Sequence, residues 1–236
     1  MSPLAFIPRV AVAAAALVVL AAPAPARAQN PQVAALKTAL EKNAAAQRSY
    51  TWVETTQMAL NGEVKSTTTS TCQYVMGQNK PACTPTSAPA PDDKKRGVRG
   101  HVVEKKTDEY KAYMDSVKTL IGQYVPPKKD LIAQAEGKGG VAVAPNQPGG
   151  TVKATISNYL EQGDNVAISF NPATSALTNV AVNTWLNDPK ATVTLAVQFM
   201  TLPSGVTFAS QKVLTATAKG IVVTITSSNF AQAVAQ

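Results

Sequence analysis

The sequence predicts an α+β protein, mainly β, in which a curved antiparallel sheet forms an open half-barrel covered by helices. From Thr151 onward, segments of alternating apolar and polar residues follow one another, as expected for antiparallel strands with one buried face. Their turns are short and several strands are long, which favours one bent sheet over two stacked sheets. Two earlier segments carry the apolar spacing of helices that can cover the buried face.

The first residues read as a signal peptide at 1–28. An apolar run at 10–22 is followed by small residues at Ala26 and Ala28, as signal peptidase requires. The run is too short to span a bilayer, and no cysteine near the cut offers a site for a lipid anchor. We therefore expect residues 29–236 to be one exported domain, periplasmic or secreted, that is not transmembrane after cleavage.

Two amphipathic helices are predicted to cover the sheet. The first begins at Pro31, a residue suited to the first helical position, and reaches about Ala46. The second carries a long apolar stripe and ends at Pro126. A shorter helical piece follows around Leu131, and residues 137–150 are expected to form a loose linker. The stripe of the second helix consists of Tyr110, Tyr113, Met114, Val117, Leu120, Ile121 and Tyr124.

A hairpin with a disulfide is predicted between the two helices. Strands at 49–60 and 63–74 flank an Asn-Gly pair at 61–62, the strongest short hairpin signal. Cys72 and Cys83 then lie almost symmetrically about a turn-prone segment, and an oxidising compartment favours a bond between them. Such a bond stabilises the fold by about 3 kcal/mol in the chain-entropy model. A redox-active pair is the alternative, but the close spacing of that motif is missing.

The middle of the chain reads as a proline-rich, basic and helical insertion at about 84–150. Its basic patch has two interpretations. It contacts anionic lipid headgroups or an acidic partner, or it is a solvated loop and helix start. The patch consists of Lys94, Lys95, Arg96 and Arg99.

The sequence offers little for catalysis. His101 is the only histidine, whereas a zinc site needs three or four ligands, and no nucleophile-elbow motif is present. The acids of the second helix alternate with lysines, as on a solvated surface. We expect no enzyme activity, no catalytic residue, no cofactor and no metal. Net charge is +8, but no aromatic and basic motif for nucleic acid is present.

Four segments carry a resemblance to a known family. They are KRGVRG with VEKK in residues 95–106, YVPP at 124–127, FNPAT at 170–174, and LNDPK to LPSGVTF at 186–208. With the order of the elements, they resemble the LolA/LolB-like group of bacterial envelope proteins, and most closely uncharacterised exported members. The resemblance implies an unclosed barrel with helices in its mouth. It also implies a non-enzymatic role in holding lipid-modified or other apolar chains, or in binding envelope proteins.

The function predicted from these features is binding of an apolar or lipid-like ligand between sheet and helical lid. The alternative is an envelope protein–protein interaction module with a solid core, because bulky apolar residues of such a domain normally just fill its interior. The candidate lining residues are Trp52, Tyr110, Tyr113, Met114, Val117, Phe170, Val197 and Phe199.

Overall fold

The computed structural model describes residues 31–75, 78, 80–86, 98–174 and 176–233, with the backbone alone for 98–107 and 145–148. The predicted signal peptide lies outside these ranges, as do Lys94, Lys95 and Arg96. None of the described helices combines the length and the apolar character that crossing a membrane requires.

The described chain contains three α-helices and ten strands. The helices are α1 (Pro31–Gln47), α2 (Val98–Tyr124) and α3 (Lys129–Gly137). The strands are β1 (Tyr50–Leu60), β2 (Glu63–Tyr74), β3 (Pro81–Pro85), β4 (Val141–Gln147), β5 (Thr151–Ser157), β6 (Asn165–Asn171), β7 (Ala176–Trp185), β8 (Thr192–Thr201), β9 (Thr207–Ala216) and β10 (Ile221–Gln232).

All ten strands form one antiparallel sheet in the order β3-β2-β1-β10-β9-β8-β7-β6-β5-β4. Within the described ranges the sheet stays open, with β3 and β4 as its edges. The segment that connects β3 to β4 therefore runs from one edge to the other, and it contains α2 and α3. The predicted fold class, a mainly β α+β open half-barrel covered by helices, is confirmed.

The predicted hairpin and disulfide are confirmed. Asn61 and Gly62 have φ of 51° and 84°, the positive values that the tight hairpin turn needs. Cys72 lies opposite Cys83 in the β2–β3 register, and the two sulfurs are bonded.

One prediction about the insertion is wrong. The segment expected to be a loose linker, 137–150, contains strand β4, which pairs with β5 from Val141 opposite Ile156. Its short run of valine and alanine between glycine and proline gives little local strand signal. The strand exists because it pairs with β5 at the edge of the sheet.

The larger core cluster, called the closed core below, lies under α1, α3 and the C-terminal end of α2. Its central side chains, such as Ile156, Ile168 and Phe170, are 0% exposed. Helix α1 adds Val33 and Leu36, and α3 adds Ile132. Lys37 also pairs with Glu136 at 3.2 Å, which joins α1 to α3. The remaining buried members of the closed core are Tyr124, Ala135, Val152, Ala154, Tyr159, Val166, Leu177, Val180, Val182, Leu195 and Val197.

A candidate ligand site under helix α2

A second cluster, called the α2 junction below, lies where α2 crosses β8, β9, β10 and β1. Only its centre is buried: Met114 and Val117 from α2, and Val193, Ala216 and Ile221 from the sheet. Apolar side chains around this centre are only partly buried. They are Met58, Leu60, Tyr110, Tyr113, Leu120, Ile121, Leu186, Leu214 and Val223.

The hydroxyl of Tyr113 is buried at this junction. Among the described residues it makes no hydrogen bond, and burial raises the pKa of this hydroxyl above its usual value. A buried hydroxyl without a partner costs about 1–3 kcal/mol. The α2 junction therefore contains a buried polar group without a hydrogen bond, which a well-packed core normally avoids.

Helix α2 is fixed at its C-terminal end by a buried polar network. Tyr124 donates a hydrogen bond to Asp164 Oδ2 at 2.6 Å, and its hydroxyl is 2.8 Å from that of Thr184. Backbone N–H groups of Tyr159, Leu160 and Glu161 complete the shell of the same carboxylate. Burial, and next the bond to Asp164, raise the pKa of Tyr124.

No other side chain described for α2 hydrogen-bonds to the sheet or its turns. Ser116 and Thr119 bond within the helix, to carbonyls four residues earlier. Apolar contacts, together with the Lys219 ammonium 5.8 Å from the centre of the Tyr110 ring, therefore hold the described helix between Asp108 and Gly122 on the sheet.

The predicted lining residues fall into three groups. Tyr110, Tyr113, Met114 and Val117 meet at the α2 junction. Phe170, Val197 and Phe199 belong to or pack against the closed core. Phe199 faces inward while its neighbour Met200 is 41% exposed, as alternation along a strand predicts.

Trp52 lies in a third, separate cluster of aromatic side chains. Its ring centroid is 5.7 Å from those of both Tyr74 and Phe208. Tyr50 and the disulfide cysteine Cys72 complete the buried part of this cluster. The structure therefore does not bring Trp52 together with the α2 junction.

A polar cluster that was not predicted from the sequence lies on the inner face of the sheet, the face that also carries the α2 junction. Glu54 Oε1 is 2.6 Å from Lys212 Nζ, and it also accepts hydrogen bonds from Trp52 Nε1 at 3.1 Å and Ser227 Oγ at 3.5 Å. Glu54, Lys212 and Ser227 are called the polar cluster below. The sequence does carry a signal for this cluster. Glu54 lies in phase with Met58 along its strand, and Lys212 lies in phase with Leu214, so both charges share a face with inward-pointing apolar residues.

Other candidate groups are placed as follows. Arg99 belongs to the first turn of α2, where only the backbone is described. The other three residues of the basic patch are outside the described ranges. Within the described residues, Glu54, Cys72 and Cys83 bring potential ligand atoms within 4.8 Å of one another. Both sulfurs are used in the disulfide, so they offer no thiolate to a metal.

The geometry defines a helix-covered half-barrel with one closed and one incompletely closed region. No protein-family model matches the chain, and no curated protein matches it. A solved DUF1329 family protein from Desulfovibrio piger is similar at 7% identity and a TM-score of 0.44, covering 88% of this chain and 95% of that one.

A solved LolA superfamily protein from Nitrosomonas europaea is similar at 6% identity and a TM-score of 0.37, covering 85% of this chain and 94% of that one. The superfamily named for that structure is the group that the sequence resembles. At such low identity and TM-score, neither likeness bears on function.

Proposed function

We propose that this chain is a non-enzymatic periplasmic binding protein that holds an apolar or lipid-like ligand between the curved sheet and α2. The observation that carries the proposal is the incomplete closure of the α2 junction. Tyr110, Tyr113 and their sheet neighbours there are only partly buried, whereas the closed core has a much larger set of buried side chains at its centre. Partly buried apolar side chains under a helix with few polar bonds to the sheet suit an apolar ligand, since ligand sites are mainly apolar.

The energetics of α2 favour opening at this place. Apolar burial stabilises in proportion to the area removed from water, so a partly buried helix face separates at lower cost than a sealed one. The unsatisfied Tyr113 hydroxyl lowers that cost further. Because Tyr124 anchors the C-terminal end, the expected motion is a swing of the preceding helix about that end.

The disulfide supports an exported location. Cys72 and Cys83 are bonded, and disulfides persist in oxidising compartments such as the periplasm. A binding protein in the envelope would meet lipid and lipid-modified chains there.

Ligand binding is tested by native mass spectrometry of the protein purified from a periplasmic extract, followed by titration with a fluorescent fatty acid. We expect a reproducible added mass and saturable uptake. The variant Val117→Phe fills the α2 junction, where an added group of this size costs about 1–3 kcal/mol. Because the larger ring takes up space that the ligand's chain would occupy, uptake should weaken about tenfold, which corresponds to about 1.4 kcal/mol in affinity.

The matched control is Ser116→Phe, which introduces the same side chain at the exposed neighbouring position of α2. It should bind as the parent does, and thermal melting should show both variants folded. A bare mass together with no uptake by the parent protein would refute the proposal and favour the interaction module with a solid core. Equal uptake by Val117→Phe would place any ligand away from α2.

A further inference from the structure

The polar cluster and the α2 junction lie on the same strand face. Glu54, Met58 and Leu60 alternate in phase along β1, and the β1–β10 register pairs them with Ser227, Val223 and Ile221. Paired residues on adjacent strands share a face. The inner face therefore changes along β1 from charged to apolar, and the apolar end is the part that α2 covers.

The distance between the two ends suits a single-chain amphiphile. Leu60 lies six positions after Glu54 along β1, which at the usual strand rise is about 20 Å. This is the length scale of a long acyl chain. Thr56 lies between the two ends on the same face, opposite Ile225.

The polar cluster retains unused hydrogen-bonding capacity. All three bonds to Glu54 end on Oε1, and Oε2 accepts none among the described residues. The Lys212 ammonium has three donors, of which one is used by Glu54. The Lys212 side chain is 32% exposed and that of Glu54 is 13% exposed, so both groups remain open to a ligand.

We propose that the ligand carries a zwitterionic headgroup, which binds at Glu54 and Lys212 while its apolar chain lies under α2. The inference rests on the proposed function and specifies the chemistry of its ligand. The cationic part of the headgroup pairs with Glu54 Oε2, and the anionic part accepts hydrogen bonds from Lys212.

Charge balance selects this class of headgroup. A partly buried charge is costly when it has no partner. An anionic ligand at Lys212 would bring a second negative charge beside Glu54, and a cationic ligand would bring a second positive charge beside Lys212. Glu54 and Lys212 already pair with each other, so an uncharged headgroup also leaves the site neutral. Only a headgroup with both charges leaves it neutral and adds a charged partner to each residue.

The test compares four single-chain amphiphiles with the same acyl or alkyl length. They are lysophosphatidylethanolamine, palmitate, hexadecylamine and monopalmitoylglycerol, which are zwitterionic, anionic, cationic and uncharged. We expect the zwitterion to bind about tenfold more tightly than the uncharged probe, as expected for hydrogen bonds to charged groups.

The decisive variant is the double substitution Glu54→Gln with Lys212→Met, which removes both charges and leaves neither one buried alone. In this variant the affinity for the zwitterion divided by that for the uncharged probe should fall to about one. The uncharged probe should bind as before, because only bonds to the headgroup are lost. The matched control is Glu63→Gln with Lys65→Met, an exposed ion pair on β2. This control should retain the parent's preference.

The outcomes separate the two proposals. Binding of all four probes with equal affinity, or an unchanged preference in the Glu54 and Lys212 double variant, overturns the headgroup assignment and leaves the proposed function standing. Stronger binding of palmitate than of the zwitterion also overturns it. Binding of none of the probes to the parent protein overturns the proposed function itself.

Discussion

The closed core and the α2 junction are built on one sheet and differ in how they are covered. Over the closed core, α1 and α3 lie together and are joined by ion pairs, Lys37 to Glu136 and Lys129 to Glu41. Asn43 of α1 also exchanges two hydrogen bonds with the backbone of Thr207. Over the α2 junction, a single helix rests on the sheet through apolar contacts and the contact of Lys219 with the Tyr110 ring.

The difference indicates a division of roles. Strand alternation supplies an apolar inner face to both regions, so the sheet does not explain why the closed core has the larger buried centre. The helices explain the difference. Two helices with polar bonds cover the closed core, whereas the α2 junction is covered by one helix that is anchored at Tyr124. We therefore expect the closed core to supply most of the stability and the α2 junction to supply the ligand site.

The largest expected effect is in the closed core. Phe170→Ala removes a ring that is 0% exposed, and such truncations cost about 3–5 kcal/mol. Met114→Ala, at the α2 junction, should cost about 2 kcal/mol, at the low end for its class. Urea unfolding followed by circular dichroism measures both values. An equal or larger loss for Met114→Ala would contradict the division between the two regions.

A smaller effect is expected at the anchor of α2. Tyr124→Phe removes the bonds to Asp164 and Thr184 and should lower the free energy of unfolding by about 1–3 kcal/mol. The control Tyr110→Phe removes a hydroxyl from the same helix outside this network and should change stability by less. Equal losses for the two variants would show that the network does not fix the helix.

The anchor also has a pH signature. The pKa of Tyr124 is raised above the ordinary 10.0 in the folded protein, so the unfolded chain loses its proton first as the pH rises. The contribution of the Tyr124 hydroxyl to the free energy of unfolding is therefore complete below pH 10.0 and decreases above it. Tyr124→Phe should show a shallower alkaline loss of stability than the parent. An identical slope would contradict the burial of this hydroxyl.

Local signals were sufficient for most of the fold. The Asn-Gly turn set the β1–β2 register, and β2 forms over the predicted residues, Glu63–Tyr74. The apolar stripe located α2, and its end before Pro126 was correct. These features depend on residues close in sequence, so their patterns are visible without the structure.

The parts that could not be predicted depend on distant pairings. Glu54 meets Lys212 because β1 pairs with β10 and β10 with β9, and no local pattern encodes that order. Tyr124 and Asp164 are 40 residues apart, so their contact follows from helix placement rather than from a motif.

Hydrogen exchange with and without ligand tests the central claim most directly. In the free protein, amides of α2 around Met114 and Val117 should exchange faster than those of β6 around Ile168. Saturating monopalmitoylglycerol should slow exchange in α2 by about tenfold through ligand linkage and leave β6 unchanged. Exchange in α2 that is as slow as in β6 in the free protein, and unaffected by the ligand, would contradict the account.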